Sequence, residues 1–203
     1  MRARISEVLS GLIDMIWAGL LWILCCLPVI TVGASSTALY YATVKCVRHN
    51  RARLTPMFFR SFRSNFRQAT LIWLILLAWT LIGLGNRYAL QQMQAPAVFR
   101  NLSFFLMLPA PLCFPWVFAY LSRFEGTIGS TFKVSLWLML QNPGRTLLVG
   151  LELFGAFLIC WMLPQLIPLL PGAVCLLVSL SIEPVFRPMQ KDVPENTDAW
   201  YNE

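Results

Sequence analysis

Apolar residues fall into six blocks along this chain, at 8–27, 30–47, 69–85, 102–121, 146–163 and 166–182, with short polar or basic stretches between them. A helix needs roughly 20 such residues to cross a ~30 Å hydrocarbon layer. The pattern therefore predicts an all-α, polytopic chain of about six membrane-spanning helices. The block 30–47 is barely long enough, so a re-entrant hairpin competes there with a second span, and the span is preferred. Along it Ala34, Ala38 and Ala42 recur every four residues, a stripe that lets helices approach closely. Ser35, Ser36 and Thr37 beside that stripe can hydrogen-bond to backbone or to neighbouring helices. Thr55-Pro56 is a helix start, with threonine as cap and proline in the first position. In the helix that follows, Phe58, Phe59, Phe62 and Phe66 share an arc of roughly 100°, with Arg60, Arg63 and Arg67 beside them. This predicts an amphipathic connector, separate from the third span at 69–85, that lies in the headgroup plane or docks its aromatic face onto a partner helix. The fourth block contains Pro109, Pro111 and Pro115, which free carbonyls and kink a helix. Residues 125–143 form a second amphipathic connector, with Lys133 and Trp137.

Charge orients these elements. The stretch Lys45–Arg67 holds seven of the sixteen Lys+Arg residues and the single histidine, and no acid occurs between Asp14 and Glu125. The positive-inside bias places this island and both chain ends in the cytoplasm. Six spans then leave fourteen of the sixteen cations inside, with Arg87 and Arg100 outside. A chain 58% hydrophobic and 12% charged lies well away from soluble domains, which carry roughly 25% charge. It reads as one integral membrane domain, 1–187, with a polar tail, 188–203. The first block exceeds the ~7–15 residues of a signal-peptide core, so an uncleaved span is expected. A net charge of +7 beside apolar spans is topogenic and lipid-contacting rather than a nucleic-acid footprint. The six cysteines form neither a CxxC nor a Cys/His cluster, which argues against disulfides and zinc.

The stretches LPVITVGASSTALYY and SFRSNFRQAT resemble the YesL family of bacterial multi-pass membrane proteins. The likeness is most specific over 20–77, and the first stretch carries it through Leu27, Pro28, Thr31, Gly33, Ser35, Thr37, Ala38 and Tyr40. It continues weakly through Arg123-Phe124 and Glu183-Pro184-Val185-Phe186. The family's acidic, glycine-containing turn is replaced here by HNRARL. The resemblance implies a bacterial cell-membrane protein associated with carbohydrate ABC import systems, and it implies no catalytic residues.

Motifs for chemistry are sparse. The sequence contains no GxxxxGK[ST], HExxH or GxSxG. His49 stands among arginines and reads as part of a solvated charge run. Glu125-Gly126-Thr127 with Gly129 matches poorly the loop by which ABC permeases grip their ATPase. Asp14 and Glu152 are the acids set well inside apolar blocks, where ionisable groups are expensive and so are functional candidates. Against that, Asp14 can reach the cytoplasmic interface, and Glu152 can be neutral or hydrogen-bonded to a serine or threonine. The expectation is a non-enzymatic accessory subunit of a carbohydrate ABC importer, with no cofactor. Its partners would be membrane lipid and permease or ATPase subunits, with self-association open and no nucleic acid. A stand-alone small transporter or channel is the alternative, and a membrane enzyme comes third.

Overall fold

The computed structural model describes residues 2–48, 53–124 and 126–190. Of the expected polar tail, residues 191–203 lie outside the described residues, as do His49 and Glu125; residues 188–190 still belong to the last helix. The described residues form eight α-helices and no strand.

Helix α1 (Arg2–Cys26) stops just before Pro28, and a 3-10 turn, Val29–Thr31, leads into α2 (Val32–Ala42). Two bonds from the Thr31 hydroxyl fix this turn, to the Cys25 carbonyl at 2.5 Å and the Pro28 carbonyl at 2.7 Å. The helix continues past α2 as π-helical turns over Thr43–Arg48. Ala34, Ala38 and Ala42 are all fully buried, as the small-residue stripe predicts. Gly33 lets α2 approach the next long helix closely: a Cβ there would collide with the Ala69 carbonyl and with Trp73 Cβ. Thus α2 is the central helix, packed most extensively on α3 and also against α1, α5 and α8.

The basic island resolves differently from expectation. Helix α3 runs unbroken from Leu54 to Gln92, 39 residues, or about 58 Å at 1.5 Å per residue. The predicted in-plane connector and the third span are one continuous helix. Its start is one residue from the predicted cap, and Thr55 instead accepts a bond from the Trp17 indole at 2.9 Å. The physical reason is the absence of any breaker: after Pro56 no Pro or Gly occurs until Gly83.

Helix α4 (Ala97–Met107) returns alongside α3 and gives way at Leu108 to α5 (Pro109–Leu121). The break falls where Pro109 and Pro111 lack the N–H groups needed to continue the ladder. Helix α6 (Ile128–Gln141) begins at Thr127, whose hydroxyl accepts from the Ser130 N–H at 3.4 Å. It buries Thr131, Ser135, Leu138 and Met139 and exposes Lys133 and Trp137, with Leu136 and Leu140 exposed too. Helix α7 (Pro143–Met162) has proline at its first position, and α8 (Leu170–Gln190) follows a short 3-10 turn. Where α8 crosses α1, side chains at Gly19 and Gly172 would strike the Pro168 and Met15 backbones.

All six predicted blocks are helical. Among the described residues three helical stretches are long and apolar enough to cross a membrane: Leu54–Gln92, Ala97–Leu121 and Pro143–Met162. The apolar parts of α1 and α8, Gly11–Cys26 and Leu170–Phe186, are shorter.

Candidate functional site: a buried ion pair among three helices

The interior polar centre joins α2, the end of α5 and α8. Arg123 follows α5 immediately, in a turn closed by its own N–H to the Tyr120 carbonyl at 3.0 Å. A cation just past a helix C-terminus is favoured by the carbonyl dipoles gathered there. Its guanidinium donates to Glu183 Oε1, and the two side chains are 2% and 7% exposed. The Tyr40 hydroxyl donates to the same Oε1 at 3.1 Å. Each helix therefore supplies one member, and the carboxylate is the shared acceptor.

Aromatic rings wall off this pair. Phe186, fully buried one turn beyond Glu183, meets Trp116, Tyr120 and Phe124 edge-on at centroid distances of 6.5, 6.3 and 5.7 Å. Tyr120 and Phe124 stack at 4.8 Å. With the pair buried beside aromatic rings, each charge depends on the other: removing water from either is costly, and their contact offsets it. The arrangement is suited to tying three helices in one relative position. A second buried cation, Lys45, lies on the π-helical turns, 5.8 Å from the Tyr41 ring centroid. Cys46 beside it is buried, and α1, which carries half-buried Asp14, packs against these turns.

The structure distributes the predicted residues unevenly. Asp14 and Glu152 do not meet. Glu152 accepts from the Ser181 hydroxyl at 2.8 Å, while its Oε2 is buried without a partner among the described residues. Within the first resemblance stretch, Leu27 is exposed and Pro28 caps the 3-10 turn. Thr31, Gly33, Ser35, Thr37, Ala38 and Tyr40 are buried; Thr37 bonds back to the Gly33 carbonyl at 3.0 Å. The phenylalanine arc is divided between protein and surroundings. Phe58 is fully buried and stacks on Phe62 at 6.3 Å, whereas Phe59 and Phe66 are 42% and 37% exposed. Arg60, Arg63 and Arg67 are exposed, and Pro56, Phe59, Arg60, Arg63 and Ser64 outline a shallow ledge near the start of α3.

Sequence reasoning did not single out Arg123 and Glu183 as a site. Their one signal was the weak continuation of the resemblance at Arg123-Phe124 and at Glu183-Pro184-Val185-Phe186. Those two fragments, about 60 positions apart, are the ones brought into contact. Among the described residues no group of three or more His, Cys, Asp or Glu gathers as a metal site.

Fold and site together define an all-helical protein with membrane-length apolar helices around a central, polar-locked helix. Residues 15–86 match the model of a family described as "Protein of unknown function, DUF624". The match covers about a third of the chain, takes in Tyr40 and most of α3, and agrees with the resemblance seen over 20–77. No curated protein and no solved structure matches the chain.

Proposed function

We propose that this chain is a multi-pass protein of the bacterial cell membrane that serves as a non-enzymatic accessory subunit of a carbohydrate ABC import system. Its membrane part comprises six inserted segments, α1, α2, α3, α4–α5, α7 and α8, with both termini and the basic island cytoplasmic. The exposed apolar residues of α3, α4 and α7 support insertion, among them Ile82, Phe105 and Trp161. One contact refines the hairpin of α1 and α2. The Val29 carbonyl at its tip accepts from the Trp73 indole at 2.7 Å, only six positions beyond Arg67. Beyond Trp73, α3 continues to Gln92, a further ~28 Å at 1.5 Å per residue. That disparity favours the re-entrant reading of the hairpin over a full crossing.

The observation that carries the partner proposal is the continuity of α3. Its exposed Arg60–Arg63 ledge, on the cytoplasmic side in this reading, is rigidly joined to a membrane-length helix. A subunit docked on the ledge would be mechanically tied to the spans, as an accessory protein requires. The association with carbohydrate import itself comes from the family resemblance. Affinity purification of the intact protein in mild detergent tests it. Permease and ATPase subunits should co-purify, and Arg60→Glu/Arg63→Glu should reduce their recovery at unchanged protein yield. Purified protein that brings no transporter subunit, yet moves solute in liposomes, would replace this reading with the stand-alone transporter.

A further inference from the structure

A cavity of about 380 Å³ lies among α1, α2, α5, α7 and α8, next to the ion pair. Trp22, Leu39, Phe118, Phe157, Val174 and Val178 form much of its wall. Two hydroxyls reach it, and both already have partners: Ser36 accepts from the Trp22 indole at 3.2 Å, and Tyr40 donates to Glu183 at 3.1 Å. A polar ligand would give up its water without finding comparable partners, whereas an apolar one gives up nothing. Water gains little there, since a buried water needs two to four polar partners. Left empty, the walls forfeit their dispersion contacts.

The cavity is not sealed. Phe157 and Ile167, 63% and 40% exposed, line it while also reaching the outer surface, in line with exposed Leu158 and Trp161 on α7. In a bilayer that rim faces acyl chains. The volume is at the small end of ligand sites, roughly 300–1,000 Å³, which suits a segment of a single chain rather than a whole lipid.

We infer that this cavity binds one hydrocarbon chain of a membrane lipid, admitted past Phe157 and Ile167. Tyr40 is then shared between the chain and the ion pair, so occupancy supports the residue that holds Glu183. The inference rests on the membrane placement proposed above and is independent of the transporter partner.

The test uses the full chain in phosphatidylcholine–phosphatidylglycerol vesicles containing a trace of phospholipid with a mid-chain diazirine. After irradiation, adducts are mapped by peptide mass spectrometry. Cys175 and Val178 line the cavity and are buried, out of reach of bulk lipid, whereas Leu71, Ile75 and Ile82 on α3 are exposed and report insertion. Adducts are expected at both places. Ala156→Trp fills the cavity, and the milder Val174→Phe narrows it; either should cut the Cys175–Val178 adducts at least tenfold while leaving those on α3. Gel filtration and helical content check the fold of each variant. Labelling on α3 without labelling at Cys175 or Val178 overturns the chain site and leaves the membrane placement standing. Absence of α3 labelling overturns the placement, and the chain site with it. Equal adducts at Val178 in the wild type and both folded variants also overturn the site.

Discussion

Arg123 and Glu183 show how one residue can be tolerable only because of another. Each is an ion taken out of water, and each loses several kcal/mol of hydration if its partner is removed. Glu183→Leu leaves the Arg123 guanidinium buried without its carboxylate and should destabilise the protein by about 3–5 kcal/mol. Arg123→Met combined with Glu183→Leu removes both charges and should recover most of that loss in thermal unfolding in detergent. A double variant as unstable as the single one would mean that the pair is not held together by mutual compensation. Glu152 makes the opposite case. Its Oε1 accepts from Ser181, and an amide oxygen accepts equally well, so Glu152→Gln should leave stability unchanged and, under the proposed import role, sugar-dependent growth as well. A folded Gln variant that loses growth would show that ionisation at this position matters. At this scale the sequence was half legible. Glu152 stood out because a lone acid interrupts LLVGLELFG, and of its two readings, a neutral acid or one bonded to a serine or threonine, the second has its hydroxyl in Ser181. Arg123 and Glu183 lie at block edges, where a charge looks ordinary; only the fold shows that those edges meet inside.

At the scale of elements, helix existence was readable and helix continuity was not. The small stripe, the Pro28 stop and the Pro109 break each have a local cause that spacing reveals. The division of α3 into connector and span rested on polarity, but polarity alone does not end a helix. Residues 57–82 contain neither Gly nor Pro, so the backbone ladder continues through the change from arginine-rich to apolar surface. The depth of the α1–α2 hairpin likewise depends on a tertiary contact, Trp73 to Val29, which no one-dimensional pattern contains. That depth has a direct consequence. Ile30, exposed at the hairpin tip, would reach the outer face if both helices crossed fully. In the re-entrant arrangement it stops within the hydrocarbon layer. In a cysteine-free background, Ile30→Cys should resist a membrane-impermeant maleimide applied to intact cells. Prompt labelling from outside would restore two full spans.

At the scale of the whole molecule, the long axis of α3 separates two kinds of surface. Its first turns carry exposed Arg60, Arg63 and Arg67, and its later turns carry exposed Leu71, Ile75, Trp79 and Ile82. A helix of about 58 Å exceeds a ~30 Å hydrocarbon layer by several turns, so one end must stand clear of the membrane. Cations are disfavoured at hydrocarbon depth by about 2.5–3.5 kcal/mol each on insertion scales. On the proposed membrane placement the arginine-rich end is the projecting one, and the positive-inside bias would put it in the cytoplasm. Two positions at opposite ends of α3 report the orientation. Arg53 precedes the first turn and Met93 follows the last, and both are exposed. In the cysteine-free background, Met93→Cys should react with an impermeant maleimide in intact cells. Arg53→Cys should react only after the membrane is opened. The reversed pattern would invert the molecule and remove the cytoplasmic ledge on which partner docking depends. Reaction of both positions in intact cells would mean that α3 does not cross the membrane. Orientation thus decides whether the ledge can meet a cytoplasmic ATPase, before any partner is sought.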